Sequence, residues 1–268
     1  MVINEGDRLR QVVVCSPRIE YFAVDSGAEH NILEIADKKT AMKQHEELRK
    51  TIKNFGAEVT DMEEMPGHPN SVFIRDMAIS TPYGYIKARM GIETRREEED
   101  WIAKYLDDMG ELCAGEIKEP GTVEGGDVII AGSVVFAGLT QRTNRDGVIQ
   151  LSEILKEMGY EVRPVELPHD YLHLDQVIGI LGPKKVICCT HLFPDKYFRG
   201  FEVIHVPCEN HNVNLICLGE NEIVAPAENP ELIRTARGEG VCVHEIELSE
   251  FAKGAGGPNC LVMPVKRG

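Results

Sequence analysis

The stretch TVEGGDVIIAGSVVFAGL, residues 122–139, contains the pattern from which the fold is predicted. Two acidic residues bracket a pair of glycines, and two runs rich in valine and isoleucine follow, separated by a glycine and a serine. Short β-branched runs bounded by turn residues are typical of β-strands, so we predict strands at Asp127–Ala131 and Ser133–Ala137. Apolar residues then recur at helical spacing over Gly147–Met158, and the glycine that follows is a common helix terminator. The stretch therefore predicts two strands followed by a helix.

The same order of elements recurs along the chain at intervals of about 45–50 residues. Further strand pairs are predicted within 77–90, 177–189 and 214–226, helices near 94–109, 194–199 and 230–237, and single strands at 57–61, 161–165, 202–206 and 241–245. A strand at 11–15 and a helix at 38–54 make a fifth unit when joined with a strand at 260–264. Repeats that cannot bury an apolar face alone stack against their neighbours. We therefore predict a ring of five ββαβ units in one domain spanning residues 1–268, since no linker rich in Pro or Ser divides the chain.

The composition limits the classes of partner. The 268 residues include 44 acidic and 29 basic residues, which give a formal charge of −15 and a sequence pI near 5.1. This charge repels a phosphate backbone and aromatic residues make up only 6% of the chain, so we expect no nucleic-acid partner. No apolar run reaches the roughly 18 residues of a membrane span, and the first residues lack the apolar segment of a secretory signal. We expect a cytoplasmic protein without a membrane partner, and strands with few aromatic residues permit a homodimer.

The cysteines are expected to be reduced and mostly buried. The eight lie at positions 15, 113, 188, 189, 208, 217, 242 and 260. Most fall inside apolar runs, where cysteine behaves as a small hydrophobic residue, and a chain without a secretory signal should keep its thiols reduced. One set of soft ligands, which includes a Cys-x-x-His spacing of the kind found in zinc sites, comprises Cys188, Cys189, His191, His205, Cys208 and His211. Because residues 186–189 read as a buried strand and no Cys-x-x-Cys pair is present, we expect neither a metal nor a cofactor.

Polar residues that could take part in catalysis or binding lie at the ends of the predicted strands. The chain lacks the G-x-G-x-x-G, G-K-[ST] and G-x-S-x-G motifs of nucleotide-binding proteins and α/β-hydrolases. What remains, beside glycines or inside apolar runs, is Asp76, Glu124, Asp127, His173, Asp175 and Cys260, with Arg95 and Arg142 following Asp76 and Glu124 by 19 and 18 residues. Each alone is more often a turn former, a core residue or a solvated side chain. In a ring, the strand ends face one common mouth, so we expect these residues to lie together there. Together they would provide a nucleophile, an acid/base, carboxylates that bind a cation and arginines that bind a carboxylate. An arginine-like substrate has both of those groups.

Seven segments carry a resemblance to a known superfamily. They are RLRQVVV, NSVFIRDMAIST, ETRREE, VEGGDVII, GLTQRTN, HLDQVIG and GGPNCLVMP, spread over the whole chain in this order. The chain resembles the guanidino-group-modifying enzymes, which include arginine deiminases, methylarginine hydrolases and amidinotransferases. This resemblance implies a five-bladed α/β propeller, the pentein fold, which agrees with the five predicted repeats.

The resemblance also implies a role for each matching residue. Cys260 corresponds to the nucleophile and His173 to the general acid/base, while Glu124, Asp76 and Asp175 correspond to the carboxylates around the guanidinium group. Arg95 and Arg142 correspond to the pair that binds the substrate α-carboxylate, with Arg96 as the alternative to Arg95.

The subfamily is less well defined. Methylarginine hydrolases usually have an acid in place of Asn70, another in place of Arg75, and no acid two residues after the histidine. Here Asn70, which we assign to substrate binding, Arg75 and the His-Leu-Asp sequence resemble arginine deiminases, as does GGPNC. Bacterial arginine deiminases carry an inserted helical domain, however, for which this chain is too short. Compact arginine dihydrolase domains, which convert arginine to ornithine, have nearly this length and share the asparagine.

We therefore predict a hydrolase that cleaves a C–N bond in the guanidino group of arginine or an arginine derivative. The products are citrulline and ammonia, formed through a covalent thiouronium intermediate on Cys260. Dimethylarginine dimethylaminohydrolase, arginine dihydrolase and amidinotransferase activities are the alternatives.

Two other classes of function have less support from the sequence. The same fold resembles a ribosome-binding anti-association factor, but an inactive binding module would not need Cys260, His173 and Glu124 together. A thiol hydrolase of amides needs an oxyanion hole, whereas this mouth is rich in anions. Those anions should raise the pKa of the Cys260 thiol in the free enzyme. We expect a cationic substrate to reverse that effect and so to assist deprotonation of its own nucleophile.

Overall fold

The strands and helices come from a computed structural model that describes residues 2–24, 27–190, 192–208 and 213–268. The strands in these ranges are β1 (Leu9–Cys15), β2 (Glu58–Met62), β3 (Ala78–Thr81), β4 (Gly84–Lys87), β5 (Cys113–Glu116), β6 (Val128–Ala131), β7 (Val134–Leu139), β8 (Glu161–Glu166), β9 (Ile178–Gly182), β10 (Lys185–Cys189), β11 (Glu202–Val206), β12 (Ile216–Gly219), β13 (Glu222–Pro226), β14 (Cys242–Ile246) and β15 (Met263–Arg267). The α-helices are α1 (Lys38–Phe55), α2 (Glu98–Asp108), α3 (Arg145–Glu157), α4 (Pro230–Gly238) and α5 (Ser249–Ala252).

The strands form three-stranded sheets, five of them within the described residues. Their orders are β15–β1–β2, β3–β4–β5, β6–β7–β8, β9–β10–β11 and β12–β13–β14. In each sheet the central strand is antiparallel to one neighbour and parallel to the other. Parallel neighbours need a crossover connection, and α1, α2, α3 and α4 supply it in four sheets, while the 3₁₀ turn Asp195–Phe198 supplies it between β10 and β11. The predicted ββαβ repeat is thus present, and the first sheet joins the two ends of the chain.

Helix ends follow the sequence signals. Asp37 precedes α1, and its side chain accepts a hydrogen bond from the amide of Thr40. At the other end, Gly56 has a φ of 103°, and its amide donates to the carbonyls of Ile52 and Lys53. Asn144 caps α3 in the same way through the amide of Gly147. Side-chain acceptors at the first position and a left-handed glycine at the last satisfy backbone groups that a helix leaves unpaired.

The structure differs from the predicted elements at β5, at the start of α2 and at Cys260. β5 was not predicted, because its sequence Cys-Ala-Gly-Glu lacks the β-branched residues that mark the other strands. The helix predicted from residue 94 begins only at Glu98, because Glu97 has a left-handed φ of 79° that separates α2 from a preceding 3₁₀ turn. Cys260 does not begin a strand: it lies in the 3₁₀ turn Asn259–Leu261, ahead of β15.

The expectation of reduced cysteines is wrong for one pair. Cys189 and Cys208 form a disulfide, with their Cα atoms 5.4 Å apart. β10 and β11 are parallel neighbours, so the end of β10 and the residue two positions beyond β11 fall within bridging distance. The disulfide occupies two ligands of the Cys/His set that was considered for zinc, and His191 and His211 of that set lie outside the described residues. Cys15, Cys188 and Cys217 are buried as expected, whereas Cys113 and Cys242 are exposed.

Among the described helices, none has the length and apolar character that crossing a membrane requires.

Candidate active site

The predicted site residues lie in short 3₁₀ turns that lead into the first strand of a sheet. These turns are Ile74–Met77 before β3, Gly125–Asp127 before β6, Leu174–Gln176 before β9 and Asn259–Leu261 before β15. They contain Asp76, Asp127, Asp175 and Cys260, and Glu124 and His173 stand at the start of two of them. Because the turn before β3 contacts the turns before β6 and β15, and the turn before β6 contacts the turn before β9, equivalent points of four repeats meet in one place.

His173 is held between two carboxylates. Its Nε2 lies 2.7 Å from Oε2 of Glu124, and its Nδ1 lies 3.7 Å from Oδ1 of Asp76. Burial alone would lower the pKa of His173, but Asp76, the hydrogen bond to Glu124 and the charge of Asp127 raise it to about 10. Burial opposes ionisation of Glu124 as well, yet its contact with His173 and the nearby arginines lower its pKa. The imidazole is therefore a cation at neutral pH, paired with an ionised Glu124.

The glycine pair of the EGGD sequence makes this close approach possible. A side chain at Gly126 would bring its Cβ to 2.8 Å from Oδ1 of Asp76 and 2.9 Å from the ring of His173. At Gly125, a Cβ would lie 2.1 Å from the carbonyl oxygen of Arg75. The amide of Gly126 in turn donates a hydrogen bond to Oδ1 of Asp76 at 3.2 Å. The glycines are thus required by packing around the histidine and the acid.

Cys260 is buried among polar groups. Its Sγ lies 3.3 Å from Nδ2 of Asn214 and 3.7 Å from Oδ2 of Asp175. Burial, followed by the charges of Asp175 and Asp76, raises the pKa of the thiol well above its ordinary value. The direction agrees with the expectation from the sequence that the carboxylates of the site disfavour the thiolate.

Asp175 has one oxygen in use and one without a partner. Its Oδ2 accepts a hydrogen bond from Nδ2 of Asn259 at 3.0 Å, whereas its Oδ1 is buried and has no hydrogen-bond partner among the described residues. Burial raises the pKa of Asp175, and His173 opposes that rise. An unsatisfied buried acceptor is costly, which makes Oδ1 a ready partner for a donor brought by a ligand.

The two arginines differ in how far they are engaged. The guanidinium of Arg95 bonds Asp76 at 2.7 Å, Glu98 at 2.8 Å and the carbonyl of Phe73 at 3.1 Å. All three of its nitrogens therefore have partners, and what the geometry shows is that Arg95 holds Asp76 in place. Its predicted contact with a substrate carboxylate stays a prediction.

Arg142 is available for an anionic ligand. The residue is only 8% exposed, its NH1 lies 3.6 Å from Oε1 of Glu124, and that nitrogen has no hydrogen-bond partner among the described residues. A buried guanidinium with an unused donor is suited to a carboxylate.

Asn70 lies beside the amino-terminal segment. Its Nδ2 donates to the carbonyl of His30 at 2.8 Å, and its Oδ1 is buried without a partner in the described part of the chain. The carbonyl oxygen of Asn70 is also 3.4 Å from NH2 of Arg95. Asn70 thus joins the segment around His30 to the framework that holds Asp76, with one amide oxygen unused.

Two residues to which the sequence analysis gave no role, Asp127 and Asn214, support the site. Asp127 accepts hydrogen bonds from the amide of Leu174 at 2.9 Å and from the hydroxyl of Thr140 at 2.8 Å. Leu174 follows His173, and the hydroxyl of Thr140 also accepts a hydrogen bond from the amide of Arg142. Asp127 therefore links the segment of His173 to the turn that contains Arg142. Asn214, whose Oδ1 accepts from the amide of Asn259 at 2.8 Å, positions Cys260. Asn214 precedes a strand as the site acids do, and this position was the signal that could have found it.

Asp76, Glu124 and His173 also form a group that could hold a metal ion. One potential ligand atom from each lies within 4.8 Å of the others, and all three residues are buried. The resemblance assigns two of these residues, Asp76 and Glu124, to the guanidinium group, so a metal is expected to compete with a substrate cation for one place. The absence of a metal requirement stays a prediction.

Comparisons with known proteins cover nearly the whole chain. A family model described as N,N dimethylarginine dimethylhydrolase, eukaryotic, matches residues 24–264. A protein of Aeropyrum pernix is 34% identical over 231 residues, which is 84% of each chain. The N(G),N(G)-dimethylarginine dimethylaminohydrolase of Pseudomonas aeruginosa is 28% identical over 226 residues, covering 84% of this chain and 88% of that enzyme.

A solved structure of a related enzyme also matches this fold. The dimethylarginine dimethylaminohydrolase of Pseudomonas aeruginosa, as a cysteine-to-serine mutant complexed with citrulline, superposes with a TM-score of 0.84 at 25% identity, over 96% of this chain and 99% of that chain. These matches confirm the superfamily inferred from the sequence motifs and the mixed α/β fold with repeated units. The chain therefore belongs to the N,N-dimethylarginine dimethylhydrolase family of guanidino-modifying enzymes, hydrolases that act on carbon–nitrogen bonds of amidines.

Proposed function

We propose that this enzyme hydrolyses the unsubstituted guanidino group of arginine, or of a close arginine derivative, to a citrulline-type product and ammonia. The five sheets would form the blades of a single five-bladed α/β propeller, with Cys260 at its mouth. Cys260 is the nucleophile, His173 the acid/base, and Asp76, Glu124 and Asp175 bind the guanidinium. Asn70 contributes to substrate binding and Arg142 pairs with the α-carboxylate, with Arg95 as its proposed partner.

One observation carries the choice of an unsubstituted guanidinium. The buried Oδ1 of Asp175 has no hydrogen-bond partner in the described part of the chain, and Oδ2 of the same carboxylate is 3.7 Å from the Cys260 sulfur. An unsubstituted guanidinium has N–H donors on both terminal nitrogens, so it can satisfy this acceptor beside the reacting carbon. A dimethylated nitrogen has no N–H and would leave any carboxylate it faces unpaired. Sites built to hydrogen-bond a donor strongly reject analogues that lack it.

The reaction then proceeds in two halves. Binding of the guanidinium cation releases the proton of the Cys260 thiol to solvent, and the thiolate attacks the guanidinium carbon. The protonated His173 gives its proton to the departing nitrogen, which leaves as ammonia. The carbon–sulfur thiouronium intermediate is held by the carboxylates. Neutral His173 takes one proton from water as the water attacks that carbon. The second water proton is released when the carbon–oxygen double bond forms, and the sulfur leaves as thiolate, which this proton returns to the thiol. The product carries the urea oxygen of citrulline, and His173 is again protonated.

A second candidate is hydrolysis of methylated arginine, with a methylamine as the leaving group. The family model over residues 24–264 and the Pseudomonas aeruginosa relative favour it. Asn70 and the acid two residues after His173 favour the deiminase, because methylarginine hydrolases usually differ at both positions. A dihydrolase, which would hydrolyse a second time to ornithine, and an amidinotransferase are the further alternatives.

The test is a comparison of substrates on one preparation. L-arginine, monomethylarginine and asymmetric dimethylarginine are supplied in turn, and citrulline, ornithine, ammonia and methylamines are quantified. We expect kcat/KM for arginine to exceed that for dimethylarginine by at least about 100-fold, with one ammonia for each citrulline. Cys260→Ser should abolish turnover, whereas Cys113→Ser, at an exposed cysteine on β5, should retain it.

Other results would replace the proposal in specific ways. Faster release of dimethylamine would establish the methylarginine hydrolase, and ornithine with a second ammonia would establish the dihydrolase. Transfer to added glycine or lysine would identify an amidinotransferase. If none of the three substrates is consumed with water or with an acceptor, the assignment to arginine is wrong.

A further inference from the structure

A second group of potential ligands lies on the sheet β12–β13–β14. It consists of Glu222 on β13 and Cys242 and His244 on β14. One ligand atom from each lies within 4.8 Å of the others, and Nε2 of His244 is 2.6 Å from Oε2 of Glu222. Cys242 is exposed, and the other two side chains are about one third exposed, at 31% for Glu222 and 37% for His244. The group is therefore open to ions in solution.

The strand register explains why these side chains converge. β13 and β14 are parallel, with Glu222 opposite Cys242 and Val224 opposite His244. Side chains alternate between faces along a strand, so Cys242 and His244, two residues apart, point to the same face as Glu222. Val243 between them is buried on the opposite face. The backbone thus fixes a triangle of one sulfur, one nitrogen and one carboxylate.

We propose that Glu222, Cys242 and His244 form a binding site for a borderline divalent cation of the Zn²⁺ type. Thiolate, imidazole and carboxylate are the three protein ligands that zinc prefers, and three of them with an open fourth position for water is an established coordination number. Calcium and magnesium require oxygen ligands and do not suit this set. Binding displaces the proton of the Cys242 thiol to solvent, and the metal takes the lone pair of His244 Nε2.

The pair Glu222 and His244 requires only a small adjustment to bind zinc. Bonds of about 2.0–2.1 Å from zinc to nitrogen and oxygen at a tetrahedral angle separate those two atoms by about 3.3 Å. Nε2 of His244 and Oε2 of Glu222 lie 2.6 Å apart, so the two side chains must part by less than 1 Å. Both are partly exposed and lie on separate strands, so they can do so without moving the backbone. The ion would then replace their hydrogen bond and join the edge strand β14 to β13.

Within the described residues, Cys113 provides a matched control. It is also an exposed free cysteine on the edge strand of a sheet, β5, but it belongs to neither of the two ligand groups found. The other of those groups, Asp76, Glu124 and His173, belongs to the active site. An experiment must therefore separate the two groups.

The experiment uses the full chain with Cys260→Ser as background, without added reductant so that the Cys189–Cys208 disulfide stays closed. Equilibrium dialysis at low micromolar zinc counts the ions bound per chain, and Co²⁺ reports sulfur ligation through thiolate-to-cobalt charge-transfer absorption. We expect Cys242→Ala and His244→Ala each to remove one zinc per chain and, for Cys242→Ala, the charge-transfer band. Glu222→Gln should weaken binding at least tenfold. Cys113→Ala should change neither readout.

Two results would overturn the proposal: no zinc bound at these concentrations, or an unchanged stoichiometry in both Cys242→Ala and His244→Ala. A folding defect is recognised by circular dichroism, and Glu222→Gln then provides a milder variant for the same measurement. In the Cys260-containing enzyme, arginine turnover by Cys242→Ala should equal that of the parent. Failure of the metal site and failure of the proposed reaction are therefore distinguishable.

Discussion

Nε2 of His173 lies 2.7 Å from Oε2 of Glu124, and the other oxygen of the same carboxylate accepts a hydrogen bond from the amide of Gly91 at 2.8 Å. Both side chains are buried. The glutamate is thus fixed by the backbone on one side and by the imidazole on the other. This arrangement favours a proton on His173 at neutral pH, and in the proposed mechanism that proton goes to the leaving nitrogen.

Glu124→Gln should lower kcat/KM for arginine by about a thousandfold or more. The amide removes the charge that holds the proton on His173 and also the proposed contact with the guanidinium. In the proposed mechanism, general-acid catalysis and substrate binding are therefore both weakened. NMR titration of the imidazole should show a lower pKa for His173 than in the wild type. Glu99→Gln, at another buried glutamate, serves as the control; an equal loss of activity there would contradict the assignment.

The stability of the protein should fall as the pH rises above neutrality. The pKa of His173 is raised from 6.5 to about 10 in the folded state, so the folded state keeps a proton that the unfolded state loses first. This contribution is complete below about pH 6.5 and is lost as the pH rises towards 10, at up to about 1.4 kcal/mol per pH unit.

Urea unfolding at pH 7.5 and 9.5 measures this effect. The wild type should lose roughly 2 kcal/mol more than His173→Gln over the interval, while His169→Gln, at an exposed histidine, should behave as the wild type. Equal slopes for wild type and His173→Gln would show that His173 carries no such linkage.

The thiol of Cys260 should ionise only when a cation is bound. Burial and the charges of Asp175 and Asp76 raise its pKa in the free enzyme, and a cationic ligand between them offsets those charges. The thiolate absorbance at about 240 nm is measured against pH, and the absorbance of Cys260→Ser is subtracted. The midpoint of this titration should lie at least one pH unit lower when a non-reactive cationic amidine is present. A low pKa in the free enzyme that the amidine leaves unchanged would contradict substrate-assisted deprotonation.

Arg142→Ala should reduce recognition of the substrate carboxylate. NH1 of Arg142 has no hydrogen-bond partner among the residues described, which predicts an ion pair with that carboxylate. The value of kcat/KM for arginine should therefore fall by about 100-fold, mostly through KM, as expected for loss of a buried charged contact. Agmatine, which lacks the carboxylate, should be affected far less. Arg145→Ala, at the exposed start of α3, should leave the ratio of arginine to agmatine unchanged. An equal loss for both substrates would point to a structural role for Arg142 through its proximity to Glu124.

The sequence determined the repeating order of strands and helices. It did so because β-branched runs, glycine turns and helix caps are local signals that act within each unit, as at residues 122–139 and at Gly56. It also singled out Asp76, Glu124, His173 and Cys260, since polar residues beside glycines at the ends of apolar runs are conspicuous without any knowledge of contacts.

Contacts between units were decided by the tertiary structure alone. Arg95 and Arg142 follow an acid by nearly the same number of residues, 19 and 18. Arg95 is engaged by Asp76 and Glu98, whereas NH1 of Arg142 has no hydrogen-bond partner within the described residues. The Cys189–Cys208 disulfide and the support of Cys260 by Asn214 depend on strands and turns that are neighbours only after folding. The local sequence pattern specifies each unit. The packing of one unit against another decides which buried oxygens and nitrogens find hydrogen-bond partners, and the proposed substrate contacts use the atoms that find none.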